Sequence, residues 1–171
     1  PQHNHGINEE AALLELGVGV PDLPNGRAWK AVARERLAYG IEHLVDADGA
    51  LIENSPYYDF YVLDKYWQIG VFARRAHVSI VADLDARLRR MIDYATYLLQ
   101  PDSSVPLLGA SLATVIHDAG SFRAMARTSA AFRYVLTQGS AGHRPAKTSV
   151  FFPATGQAIF RSGWGRGSAF A

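Results

Sequence analysis

The sequence contains no cysteine. That removes disulfides, thiolate nucleophiles and cysteine-ligated zinc together, and it suits a reducing or an oxidising compartment equally. Charge of one sign is missing too: 17 Lys and Arg against 16 Asp and Glu leave a net charge of +1. Such a balance gives no field that would draw nucleic acid. The small basic groups Arg74-Arg75 and Arg87, Arg89, Arg90 read as solvated helix faces. No apolar run reaches the roughly 18 residues a membrane span requires. Repeats of fixed period and low-complexity tracts are also lacking. The chain opens Pro1-Gln2, without Met and without a basic-then-apolar leader, so a removed amino terminus is the expectation. What remains is 171 residues, 49% hydrophobic and 19% charged, enough for one folded unit with a real core.

The apolar periodicity is helical up to about residue 147. Ile7 to Leu16 is rich in Ala, Leu and Glu, and Gly17 is placed to end that helix in the left-handed conformation. From Gly26 to Val45, Trp29, Ala33, Leu37, Ile41 and Leu44 form one stripe. Asp46-Ala47-Asp48-Gly49 then makes a turn. Ser55-Pro56 opens a third helix, Ser as cap and Pro in the first turn, with Tyr58, Val62, Tyr66, Ile69 and Phe72 in register. A fourth runs from Ile80 to Leu99, carrying Leu84, Leu88, Met91, Tyr94 and Leu98 and stopping before Pro101. Shorter helices are expected over Leu112 to His117 and Phe122 to Thr137. From Thr148 the period becomes two: Thr148 to Phe152, a turn at Pro153 to Gly156, and Gln157 to Arg161 read as a hairpin. Two strands cannot bury a face alone, so they must cover the helices or join further sheet.

Three groups of residues carry potential chemistry. Asn4 and His5 precede the first helix, where Asn4 is equally a helix cap and His5 an exposed side chain. His3, His5 and Glu9 offer donors for zinc, but alternate residues of an extended segment point apart and further ligands are missing. Tyr57 and Tyr58 follow Glu53, Asn54, Ser55 and Pro56. They are either aromatic anchors of a helix start or phenols for proton transfer, and a phenol acts as a base only if nearby cations lower its pKa.

Asn4-His5-Gly6, then Asp48-Gly49 with Glu53 to Tyr58, then Phe152-Pro153-Ala154-Thr155-Gly156-Gln157-Ala158-Ile159-Phe160-Arg161 resemble the heparinase II/III-like polysaccharide lyases. The likeness covers roughly residues 2 to 70 and 148 to 166. It implies a mainly α chain, with residues 1–147 forming the later helices of an incomplete α/α toroid and residues 148–171 the first strands of an antiparallel β-sandwich. It also implies β-elimination at a uronic acid. Asn4 and His5 would neutralise the carboxylate, Tyr58 would serve as general acid and in some substrates as base, and His5 would be the base for the opposite C5 configuration. Tyr57 and Glu53 would help bind substrate or hold the tyrosine loop. No cofactor is required for the chemical step, and a structural metal is allowed for in the missing sandwich part. The partner is an acidic polysaccharide or oligosaccharide, with no nucleic acid and no membrane span. The rest of the parent chain is needed, and the location is periplasmic or secreted.

Two departures stand out. Asp59 follows Tyr58 where the family often has His, and an anion there would favour the acid role or shift the function to Tyr57. At Pro106 to Ser111, Ala110 stands where many relatives carry Asp, and His117-Asp118 offers a polar pair that reads first as structural. An inactive carbohydrate-binding or scaffold relative is therefore the alternative, and a glycoside hydrolase on a helical barrel the third, without a clear carboxylate pair.

Overall fold

The computed structural model describes residues 4–171, with side chains from Gly6 onward. Six helices precede one hairpin: α1 Asn4–Gly19, α2 Gly26–His43, α3 Pro56–Arg75, α4 Leu84–Leu98, α5 Gly120–Ala126, α6 Ala130–Leu136, β1 Val150–Phe152 and β2 Gln157–Ile159. Among the described residues no helix is long and apolar enough to cross a membrane.

The first helix passes through Gly17 instead of stopping there. A Cβ at Gly17 would lie 2.7 Å from the Lys30 amide nitrogen and 2.8 Å from the Gly26 carbonyl oxygen. The glycine therefore lets α1 and α2 approach closely, and its role is packing rather than termination. The α2 stripe is buried at Ala33, Leu37, Ile41 and Leu44, with Trp29 half-buried. On α3, Val62, Tyr66 and Ile69 are buried, and the Tyr66 hydroxyl donates to the Leu37 carbonyl at 2.9 Å. That bond satisfies the one polar atom of a ring sunk between helices. Helix α4 begins at Leu84 rather than Ile80, with Asp83 ion-paired to Arg87 at 2.9 Å.

Two short-helix expectations need correction. Residues 112–117 form no helix; Val115 bridges to Ser104 and the Ile116 amide bonds to Ser103, so this stretch folds back on the exit from α4. The single helix expected over 122–137 is two, because Ser129 interrupts it and its Oγ accepts from the Phe132 amide at 3.2 Å as the cap of α6, the competition with helix interior typical of Ser.

The hairpin is antiparallel with Val150 opposite Ile159 and Phe152 opposite Gln157. Phe152 and Ile159 face inward. Phe152 meets Tyr94 at 4.9 Å and Tyr97 at 6.1 Å between ring centres, both edge-on. The strands thus cover α4 with one face. The chain continues through Arg161, which pairs with Phe170 as a further strand-like step. The buried guanidinium of Arg161 donates to the carbonyls of Tyr97 and Leu99 at the end of α4, and lies over Trp164 at 4.3 Å and Phe170 at 4.6 Å. Burial pulls its pKa down to about 10, still well above neutrality, so it remains a cation closing a helix C-terminus.

Candidate active site

The tyrosine segment is built from a loop whose amides are held by carboxylates. Asp46 Oδ1 accepts from the amides of Asp48 at 2.9 Å and Ala50 at 3.0 Å, a local turn that Asp favours. Gly49 has φ +92°, and a Cβ there would sit 2.4 Å from the Arg90 carbonyl carbon. Only glycine fits against α4 at that point. Leu51 donates to Asp59 Oδ1 at 2.6 Å, which ties the loop to the first turn of α3.

Asp59 points into the core. Burial pushes its carboxyl up to about 8, the Leu51 amide opposes that rise, and the charges of Asp46 and Glu53 add to it. Burial thus favours the neutral carboxyl, which weakens the case for an anion beside the Tyr58 phenol.

The start of α3 also differs from expectation in its cap. Pro56 occupies the first turn as anticipated, but Ser55 makes no capping bond. Ser111 does that work from a distant loop: its Oγ accepts from the Tyr57 amide at 3.0 Å and lies 3.4 Å from Ser55 Oγ. Gly109, with φ +58°, brings this loop against Asn54, whose carbonyl oxygen would be 2.8 Å from a Cβ. The segment in which Ala110 replaced an expected Asp thus acts through Ser111. His117 is exposed, and Asp118 is engaged by Arg123.

Tyr57 and Tyr58 are both half-buried. Their rings meet edge-on at 5.1 Å, and Tyr58 meets Tyr61 in the same way at 6.3 Å. Lys65 Nζ stands 5.5 Å from the Tyr61 ring centre. Asn8 on α1 donates to the Tyr61 hydroxyl. Asn8 is one turn into α1 and Tyr61 one turn beyond Tyr57 and Tyr58, so this bond sets the start of α1 beside the start of α3. The side chains of Asn4 and His5, and His3 entirely, lie outside the described residues. Glu53 is exposed in the loop ahead of α3.

Asp48, Asn54 and Gln157, which the sequence offered only as members of longer motifs, fix this rim to the strands. Asp48 Oδ2 accepts from the amides of Ala154 at 2.6 Å and Thr155 at 3.3 Å, at the tip of the hairpin. Gln157 accepts from the buried Tyr94 hydroxyl at 2.6 Å and donates to Asn54 Oδ1 at 3.2 Å. The chain of contacts runs from α4 through β2 to the residue just ahead of Ser55. No local sequence signal marks these pairings, because their partners are separated by 63 to 107 residues. Among the described residues no group of three or more His, Asp or Glu is placed to hold a metal ion.

Comparison with known proteins follows the same outline. Residues 1–130 match the family model of the heparinase II/III N-terminus. A heparan sulfate lyase mutant from Pedobacter heparinus is 26% identical and superposes with a TM-score of 0.79 over 99% of this chain and 28% of its own. A heparinase III structure at 20% identity reaches a TM-score of 0.85 over 96% of this chain and 28% of its own. Another, with methylated lysines, shows 21% identity and a TM-score of 0.79 over 99% and 27%. At 20–21% identity the likeness speaks for the fold: helices followed by two antiparallel strands match the toroid-like region of heparinase III. No curated protein matches the sequence. The chain spans about 28% of the length of the solved chains it matches.

Proposed function

Because the chain belongs to the heparinase II/III family of polysaccharide lyases, we propose that it supplies one wall of a cleft that cleaves a uronate-containing acidic polysaccharide or oligosaccharide by β-elimination. The observation that carries this reading is the Asn8 to Tyr61 hydrogen bond, which joins α1 and α3 one turn in from their starts. That bond supports a rim bordered by the segments bearing Asn4-His5 and Tyr57-Tyr58.

The chemistry requires these residue types. The C5 proton of a uronic acid is lost only if the C6 carboxylate can take up the developing charge. Asn4 and His5 donate to that carboxylate and lower the energy of the enolate-like state, as oxyanion donors do. A base takes the C5 proton, the electron pair forms the C4–C5 double bond, and the C4–O bond breaks. Tyr58 gives its phenolic proton to the leaving glycosidic oxygen. The base is Tyr58 as tyrosinate or His5, according to the configuration at C5. Asp59 is turned inward and burial favours its neutral form, which lessens the negative charge beside that tyrosinate. Tyr57, edge-on to Tyr58, and Glu53 in the adjoining loop shape the rim and contact substrate. No cofactor enters these steps, the action is periplasmic or secreted, and the sheet of the remaining parent chain completes the cleft. The product carries a conjugated double bond, so the full-length protein should raise ultraviolet absorbance on at least one of heparan sulfate, hyaluronan or alginate. A flat trace across that panel contradicts the proposal.

A further inference from the structure

Charge in this molecule is balanced overall, but not between α5 and α6. A cavity of about 390 Å³ is lined there by Arg123, Arg127 and Arg133, with Asp118 as its one acid and Thr137 and Ser140 on the rim. Arg123 is committed to Asp118, through Nε to Oδ1 at 3.4 Å and through a second bond to the Asp118 carbonyl. The guanidinium groups of Arg127 and Arg133 are exposed and make no hydrogen bond or ion pair among the described residues. Three cations and one anion leave the cavity at +2.

Its walls are fixed in place. Ser129 caps α6, and the following turn folds back on the same helix: His143 donates to the Ala130 carbonyl at 3.0 Å. Gly142, at φ +89°, brings its backbone so close that a Cβ would lie 2.3 Å from that same carbonyl oxygen. Helix α5 is pinned to α3 by Phe122, which meets Phe60 edge-on at 6.0 Å. Phe60 stands two residues after Tyr58, and Phe122 directly precedes Arg123. That ring contact joins α5 to α3 through the core.

Unpaired guanidinium groups facing a concave, preformed site suit an oxyanion, which they bind through paired N–H donors. We propose that this cavity holds an oxyanion substituent, sulfate or carboxylate, of the acidic sugar chain whose backbone reaches Tyr57 and Tyr58. The glycan part of that assignment rests on the lyase reading above; the oxyanion part rests on the arginines alone. The site would act on affinity and on which substituted polymer is accepted, without touching the reacting atoms.

The test is titration calorimetry on the full-length protein, carrying Tyr58→Phe to prevent turnover, with a heparin-derived hexasaccharide and its desulfated counterpart as probes. Arg127→Ala with Arg133→Ala should weaken the sulfated probe by about tenfold or more, the scale of losing one to two charge-assisted hydrogen bonds. Replacement of both by Lys should recover part of that loss, because charge returns without the fork. A loss confined to the sulfated probe assigns the site to sulfate, and an equal loss on both assigns it to carboxylate. Unchanged affinity for both probes overturns the proposal. Both arginines are exposed, so the fold should tolerate these changes, and unaltered circular dichroism and melting confirm it. Calorimetry needs no turnover, so failure of the lyase assay leaves this result standing and the two readings fail separately.

Discussion

At the scale of single residues, Asp59 sits where burial strongly disfavours its charge. Its carboxyl is raised from 3.8 to about 8 by burial, so the folded chain holds a proton that the unfolded chain releases near pH 4. The contribution is complete below about pH 4, and stability falls as pH climbs through the interval up to about 8, where the folded form also ionises. Asp59→Asn keeps an acceptor for the Leu51 amide without the ionisation. It should raise the melting temperature at pH 8 by roughly 3 °C or more, the effect of about 1 kcal/mol in a chain of this size. At pH 4 the two proteins should melt together, and a gap that stays constant with pH would contradict the assignment. The sequence showed that an acid follows Tyr58, but not which way it points. The placement of Pro56 in the first turn could be read from local preference; the cap could not, because Ser111 arrives from a loop fifty-six residues away.

At the scale of elements, the main helical stripes were legible because burial repeats every three or four residues along each helix. Gly17 shows where that reading stops. Its local meaning is a helix end, while its actual role is the contact with Lys30 and Gly26 on α2. The two readings predict opposite signs. If Gly17 only sat in an exposed helix, Gly17→Ala would stabilise by about 1 kcal/mol through propensity. Overpacking against a backbone that cannot yield costs about 1–3 kcal/mol, so the net change should be destabilising, and denaturant unfolding gives the sign. The hairpin offers a second case. Val150 to Ile159 was readable as strand, turn, strand, yet its docking depends on Asp48. Asp48→Ala should release the tip, costing about 1.5 kcal/mol for a half-exposed charged acceptor. The Ala154 and Thr155 amides should then exchange about tenfold faster while the α2 amides stay protected; unchanged exchange at the tip would mean the carboxylate does not hold it.

At the scale of the whole molecule, the change of period near residue 148 marks a real change of architecture, from paired helices to strands that cover α4. The outward face of those strands stays open, with Phe151 62% and Phe160 61% exposed. This accords with a chain that spans about 28% of the solved chains it matches. The candidate rim was legible in the sequence only as separate motifs. What joins them is tertiary: Asn8 to Tyr61 between helices, and Gln157 to Asn54 between layers. The proposed activity therefore belongs to the assembled protein, and its measurement belongs there. Ultraviolet absorbance of the unsaturated product, followed for the full-length protein and its Tyr58→Phe and Tyr57→Phe variants on a substrate the parent cleaves, tests the central claim most directly. Tyr58→Phe should lower turnover by about 10²- to 10⁴-fold, the weight of a general acid or base, while Tyr57→Phe retains most of it. Full turnover in Tyr58→Phe would contradict the account.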